Sequence, residues 1–159
     1  MTQTRILIVD DESTLRTTMA DLLDNDQREI VTAASGETAL AYLEAGPFDL
    51  IVVDLIMPGI DGLQVMDVAQ RLSPHAKIIM LTAYGTLESA IEAMRRGAAD
   101  YLLKPASAPQ IEEAVERALK MRREEARKEE LIDRIGSAFD ELRSRERLTA
   151  ERKRVERQL

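Results

Sequence analysis

The chain has 159 residues, 45 % of them apolar, which is enough for one ordinary domain and an extension. Its core must be aliphatic, because aromatics make up 3 % and Trp is absent. The absence of Cys excludes disulfides and thiolate metal sites. No apolar run is long enough to cross a bilayer and MTQTRILIVDD carries no apolar leader, so a cytoplasmic protein without a membrane segment is expected. The net charge of −7 is uneven: residues 1–105 hold 8 Lys+Arg against 16 Asp+Glu, and residues 106–159 hold 14 against 13, so the acidic front is poorly suited to nucleic acid and the architecture changes behind it.

In chain order, the first signal is ILIV (6–9), a short aliphatic run that reads as a buried strand. STLRTTMADLLDN follows, a helical pattern with Leu15, Met19, Leu22 and Leu23 on one face. EIVTAA (29–34) is a weaker strand signal. GETALAYLEAG groups Leu40 and Leu43 on a helix that Gly46-Pro47 stops. LIVV (50–53) is the next strand, and GLQVMDVAQRL the next helix, with Leu63, Met66 and Leu72 on its face. IIML (78–81) is followed by TLESAIEAMRRG, where Gly97 stands just past the helix end. YLL (101–103) is the fifth strand, and APQIEEAVERALKMRR opens the fifth helix.

Strand then helix, five times, predicts an α/β fold: an open, doubly wound parallel sheet covered on both faces, with right-handed crossovers. Such sheets bind ligands outside the C-terminal strand ends. The residues that follow the runs are Asp10 and Asp11, Asp54, Thr82 and Lys104. Three carboxylates, a hydroxyl and an ammonium therefore converge on one rim. Clustered carboxylates are costly without a positive partner. Oxygen-only ligands suit a hard cation such as Mg²⁺. A carboxylate can also act as a nucleophile and form an aspartyl phosphate, with the metal and Lys104 absorbing charge and Thr82 donating to a phosphoryl oxygen. Any one of these residues alone reads as a helix cap, a turn residue or a solvated lysine; their joint placement on one edge favours a site. In MPGIDG, Gly59, Gly62 and Pro58 shape the rim beside Asp54.

VDDE, VVDLIMPGIDG and LTAYGTLESAIEAMRRGAADYLLKP, at these spacings, resemble a response-regulator receiver domain of two-component signalling over about residues 4–120. The segment resembles the receivers of enhancer-binding transcription activators, notably in LTAYGTLESAIEAMRRGA. The resemblance implies a flavodoxin-like five-stranded sheet in order 2-1-3-4-5. It implies Asp54 as phosphoacceptor, with Mg²⁺ held by Asp10, Asp11, Asp54 and the backbone carbonyl of Ile56. Thr82 and Lys104 would contact the phosphoryl group, and Thr82 and Tyr101 would form the switch. Ile56 and Tyr84 would tune dephosphorylation, and Lys104-Pro105 would be a cis bond. The donor would be a histidine on a separate sensor kinase; His75, the only His, follows Pro74 in a polar connection and is expected to be exposed. The chain would be a phosphoacceptor module rather than an enzyme. A phosphatase of another α/β family wants a second Asp two residues past the nucleophile, and here that position is Ile56.

The division expected is a receiver domain over 1–120 and a helical, coiled-coil-like signalling extension over 121–159. The extension reads as one helix, or as two joined near IGS. Leu131, Ile135, Ala138 and Leu142 follow the four-three-four spacing of a coiled-coil seam. Arg145 and Arg152 then interrupt it, and further apolar positions follow at Leu148, Val155 and Leu159. A homodimer is expected through this helix, through the face made by the fourth helix, fifth strand and fifth helix, or through both. A solvated helix is the plainer reading. Interleaved Glu and the lack of a helix-turn-helix pattern argue against direct nucleic-acid binding. A phosphorylation-independent dimerisation scaffold, and a receiver fragment of a longer transcription regulator, stand as the alternatives.

Overall fold

The computed structural model describes residues 3–158; Leu159 lies outside them. Five strands form one wholly parallel sheet: β1 (Thr4–Val9), β2 (Arg28–Ala33), β3 (Leu50–Val53), β4 (Lys77–Thr82) and β5 (Asp100–Leu103), in the order β2-β1-β3-β4-β5. The helices between and after them are α1 (Ser13–Leu23), α2 (Gly36–Ala45), α3 (Gly62–Leu72), α4 (Leu87–Arg95) and α5 (Ala108–Gln158). Strand order reverses between β1 and β3, which is where sheets of this kind open a crevice.

The aliphatic runs are continuous because each inner strand is buried on both faces. Leu7, Val9, Ile51, Val53, Ile78 and Met80 point to one side, where they pack with Leu43 of α2 and Val65 and Met66 of α3. Ile6, Ile8, Leu50, Val52, Ile79 and Leu81 point to the other, against Met19 and Leu23 of α1 and Ile111, Val115 and Leu119 of α5. Edge strand β2 is only partly covered, which explains its weaker pattern.

The apolar face expected on α3 is uncovered in part, and α4 carries exposed apolar side chains as well. Leu72 is exposed at the end of α3. On α4 only Ala93 is buried, while Leu87, Ile91 and Met94 face outward. Period 3.6 identifies a face but not whether a neighbour covers it.

α3 begins with a reciprocal cap. The Asp61 side chain accepts from the Gln64 backbone N–H at 2.9 Å, and the Gln64 side chain accepts from the Asp61 N–H at 2.9 Å. Asp61→Ala is therefore expected to cost about 1 kcal/mol of stability, measured by urea unfolding.

By spatial proximity of its Cα atoms the chain forms two units, Met1–Arg122 and Arg123–Leu159. The second unit is helical throughout its described residues and exposed along its length. There is no joint at IGS: a glycine costs a helix interior about 1 kcal/mol relative to alanine but does not stop it, and Gly136 is carried within α5. Leu131, Ile135 and Leu142 are exposed, as are Ile132 and Phe139 beside them. No described helix is long and apolar enough to cross a membrane.

Candidate functional site

The C-terminal ends of β1, β3, β4 and β5 bring Asp10, Asp11, Asp54, Thr82 and Lys104 to one edge, as their positions after the aliphatic runs require. Lys104 is the centre of the contacts. Its Nζ donates to Asp10 Oδ2 at 2.8 Å and to Asp54 Oδ2 at 3.0 Å, so one ammonium bridges residues 94 and 50 positions away. Carboxylate oxygens of Asp10, Asp11 and Asp54 all lie within 4.8 Å of one another, the one such acidic group found among the described residues.

The three acids differ in exposure. Asp10 is 1 % exposed and Asp54 6 %, whereas Asp11 is open to solvent. Asp10 is held from several directions: its Oδ1 accepts from the Glu12 N–H at 2.8 Å, and its backbone carbonyl accepts from Arg16 Nη1 at 2.8 Å. Burial pushes the Asp10 carboxyl above its ordinary value, against the pull of the Lys104 ammonium and the Glu12 N–H. For Lys104, burial pulls the ammonium down, but hydrogen bonds to Asp10 and Asp54 outweigh it and hold its pKa above the ordinary lysine value.

A lysine raised in the folded state binds its proton more tightly there than in the unfolded chain. Its contribution to stability is complete below the unfolded value of about 10.4 and is lost as pH rises through the higher folded value. The wild type should therefore lose stability more steeply than a Lys104→Met variant as pH rises above about 10.4, the ordinary lysine value, compared by urea unfolding at each pH.

Asp54 Oδ1 accepts from the Ile56 backbone N–H at 3.2 Å, which helps to orient the carboxylate. Ile56 and Tyr84 stand at the rim, Tyr84 being 70 % exposed, and both line a cleft of about 520 Å³ with Asp11, Asp54, Met57 and Lys104. Thr82 is the last residue of β4 and is 0 % exposed; its Oγ1 accepts from the Tyr84 N–H at 3.2 Å. Tyr101 is half-buried against the α2/α3 side of the core, and its hydroxyl lies 2.9 Å from Ser89 Oγ. The Lys104-Pro105 bond is cis, and His75 is exposed.

The two glycines of MPGIDG serve different ends. Gly59 has a φ of 76°, in the left-handed region. Gly62 is needed for close approach: a Cβ there would run into the Asp54 backbone carbonyl oxygen and stand 2.7 Å from Leu55 Cα. Two contacts escape sequence reasoning. Arg16 reaches back to Asp10 from the first turn of α1, a distance its six-residue offset could have suggested. Ser89 touches Tyr101 from a T-x-x-S cap, which lacks the Glu or Gln that marks the usual signature.

Similar proteins share this arrangement of elements. A family model described as response regulator receiver domain matches residues 6–116. Response regulator protein FleR of Pseudomonas aeruginosa is 40 % identical over 113 residues, covering 71 % of this chain and 24 % of FleR. Alginate biosynthesis transcriptional regulatory protein AlgB of the same organism is 36 % identical over 142 residues, covering 89 % of this chain and 32 % of AlgB. The chain thus spans about a quarter to a third of the length of these curated relatives. Among solved structures, a CheY-like response regulator receiver domain protein from Methanospirillum hungatei JF-1 superposes with a TM-score of 0.74 at 30 % identity, covering 78 % of this chain and 99 % of that one. The family match runs from within β1 into α5 and takes in residues of all five strands, so this chain belongs to the response regulator receiver domains of two-component signalling.

Proposed function

We propose that Asp54 accepts a phosphoryl group from the phosphohistidine of a sensor histidine kinase, in a Mg²⁺-dependent reaction at this rim. The observation that carries the reading is the bridging of Asp10 and Asp54 by Lys104, with the open Asp11 carboxylate close by. Three carboxylates and one ammonium leave a formal charge of −2, and every side-chain donor in the acidic group is an oxygen. That donor set fits a hard divalent ion. Asp10, Asp11, Asp54 and the Ile56 carbonyl would hold it. When bound, Mg²⁺ supplies charge neutralisation between acceptor and phosphoryl oxygens.

The remaining chemistry belongs to the chain. The Ile56 N–H and the Lys104 ammonium orient the Asp54 carboxylate. An Asp54 oxygen forms a bond to phosphorus as the P–N bond to the donor imidazole breaks, and the electron pair stays on the imidazole nitrogen. Lys104 turns to the phosphoryl oxygens, and Thr82 donates to one of them. The chain serves as a phosphoacceptor and does not turn over outside substrates, because Ile56 stands where an acid-base carboxylate would be needed.

Movement of Thr82 and Tyr101 then biases the face made by α4, β5 and α5 between two states. Receiver 1–120 passes this to the signalling extension 121–159, which pairs with a second copy of the chain. The four-three-four seam of Leu131, Ile135, Ala138 and Leu142 supports that pairing, since a helix with no core of its own gains burial by association. The setting is cytoplasmic, where the donor kinase domain would be met.

Acetyl phosphate with Mg²⁺, followed by intact-mass and peptide mass spectrometry, tests the acceptor. An adduct on Asp54 is expected; no adduct, together with no spectroscopic response to Mg²⁺, would sink the reading. Light scattering with beryllofluoride and Mg²⁺ tests association, and an unchanged mass would favour an inert dimerisation protein or a monomer.

The rim residues set how long the phosphoryl group lasts. Ile56 is apolar and Tyr84 is bulky, and both obstruct water at the cleft. Self-dephosphorylation should take minutes or longer, and Tyr84→Ala should shorten the lifetime by about tenfold, a change of about 1.4 kcal/mol in barrier. A wild-type lifetime of seconds would contradict this assignment.

A further inference from the structure

The connection from β4 to α4 is pinned at both ends. At its start, Thr82 Oγ1 accepts from the Tyr84 N–H at 3.2 Å. At its end, Thr86 and Ser89 form a reciprocal cap on α4: Thr86 Oγ1 accepts from the Ser89 N–H at 3.0 Å, and Ser89 Oγ accepts from the Thr86 N–H at 2.9 Å. Two further groups reach the same Ser89 oxygen, the Thr86 carbonyl at 2.9 Å and the Tyr101 hydroxyl at 2.9 Å.

A hydroxyl has one proton and two lone pairs. The Thr86 N–H takes one lone pair, and the Thr86 carbonyl can only take the proton. The Tyr101 O–H must therefore donate to the second lone pair. Every hydrogen-bonding capacity of Ser89 is used, and the switch aromatic is built into the cap of α4. Gly85 makes room for this contact. A Cβ at that position would stand 2.7 Å from the Tyr101 hydroxyl and would collide with the Leu103 side chain.

We infer that Ser89 is the positioning residue of the switch: its hydroxyl joins Tyr101 to the N-terminal cap of α4, so that the ring and the first helical turn move as one unit. This rests on the Thr82–Tyr101 switch proposed above. When Thr82 turns toward a phosphoryl oxygen, the first pin of the connection is released. The Ser89–Tyr101 bond then makes α4 follow. Leu87, in that first turn and 77 % exposed, is the apolar side chain whose presentation to a partner changes.

The test uses the full chain without any phosphodonor. Amide hydrogen exchange at Ser89 and Ala90 is measured in wild type, Ser89→Ala, Tyr101→Phe and the double variant. Tyr101→Phe should speed exchange about fivefold, the loss of one ordinary hydrogen bond. Ser89→Ala should do so by more, and the double variant should match Ser89→Ala alone. Ser89→Thr, which keeps the hydroxyl, should restore protection. Unchanged exchange in Tyr101→Phe, or single effects that multiply in the double variant, would overturn the inference. In a second arm, beryllofluoride with Mg²⁺ should shift the α4 amides of wild type but not those of Ser89→Ala, with binding retained in both. Shifts of equal size in the two proteins would also overturn it. A wild type blind to beryllofluoride would refute the phosphoacceptor reading, while the exchange cycle would still decide whether Ser89 couples Tyr101 to the cap.

Discussion

Asp54→Asn should abolish phosphoryl uptake, slowing transfer from acetyl phosphate by more than about a thousandfold, as expected when a nucleophile is removed. The substitution changes little volume, so the fold should persist. An amide has neither the charge nor the nucleophilic oxygen pair of a carboxylate. Its Oδ1 can still accept from the Ile56 N–H, but its NH₂ would then face the Lys104 ammonium, donor against donor. Lys104 would be left on Asp10 alone, and the cluster's formal charge would fall from −2 to −1. Mg²⁺ affinity should therefore weaken by about tenfold or more, measured by calorimetry. A variant that still carries a phosphoryl group, found by peptide mapping on another residue, would move the acceptor away from Asp54.

The largest stability loss should come from Gly62→Ala. In an open helix this exchange would stabilise by about 1 kcal/mol. Here the new methyl would meet the Asp54 carbonyl oxygen, with the Asp54 carbonyl carbon at 3.0 Å and Leu55 Cα at 2.7 Å. All of these are backbone atoms, so no rotamer change relieves the clash. The Gly62 N–H also donates to the Leu55 carbonyl at 2.8 Å, which ties α3 to the same segment. The clash therefore decides the sign. A loss of about 3 kcal/mol is expected, at the top of the usual overpacking range, with a fall in Tm of about 10 °C. Because the displaced segment carries Asp54, phosphoryl uptake should slow as well. A variant as stable as wild type in urea would show that the turn from β3 into α3 can yield.

Much of the fold was legible because it is a parallel sheet. Strands buried on both faces must be aliphatic throughout, and the inner strands β1, β3 and β4 are marked by such runs; the two edge strands, β2 and β5, are only partly covered and carried the weaker or shorter signals. The site was legible because parallel strands share one C-terminal edge, so Asp10, Asp11, Asp54, Thr82 and Lys104 could be grouped without knowing a distance. What could not be read depends on neighbours far apart in sequence. The double contact of Lys104 spans 94 and 50 positions. The exposure of Leu87, Ile91 and Met94 depends on what fails to cover α4, which periodicity does not report. Gly136 signals a break or nothing at all, and in α5 it signals nothing.

The scarcity of aromatic side chains has an optical consequence. Without Trp, near-ultraviolet emission from this chain comes from three tyrosines. Tyr84 stands at the mouth of the acidic cleft and Tyr101 is bonded to the cap of α4, leaving only Tyr42, on α2, as a background emitter. A Tyr42→Phe variant would thus be an unlabelled fluorescent sensor of its own rim, able to follow occupancy in real time.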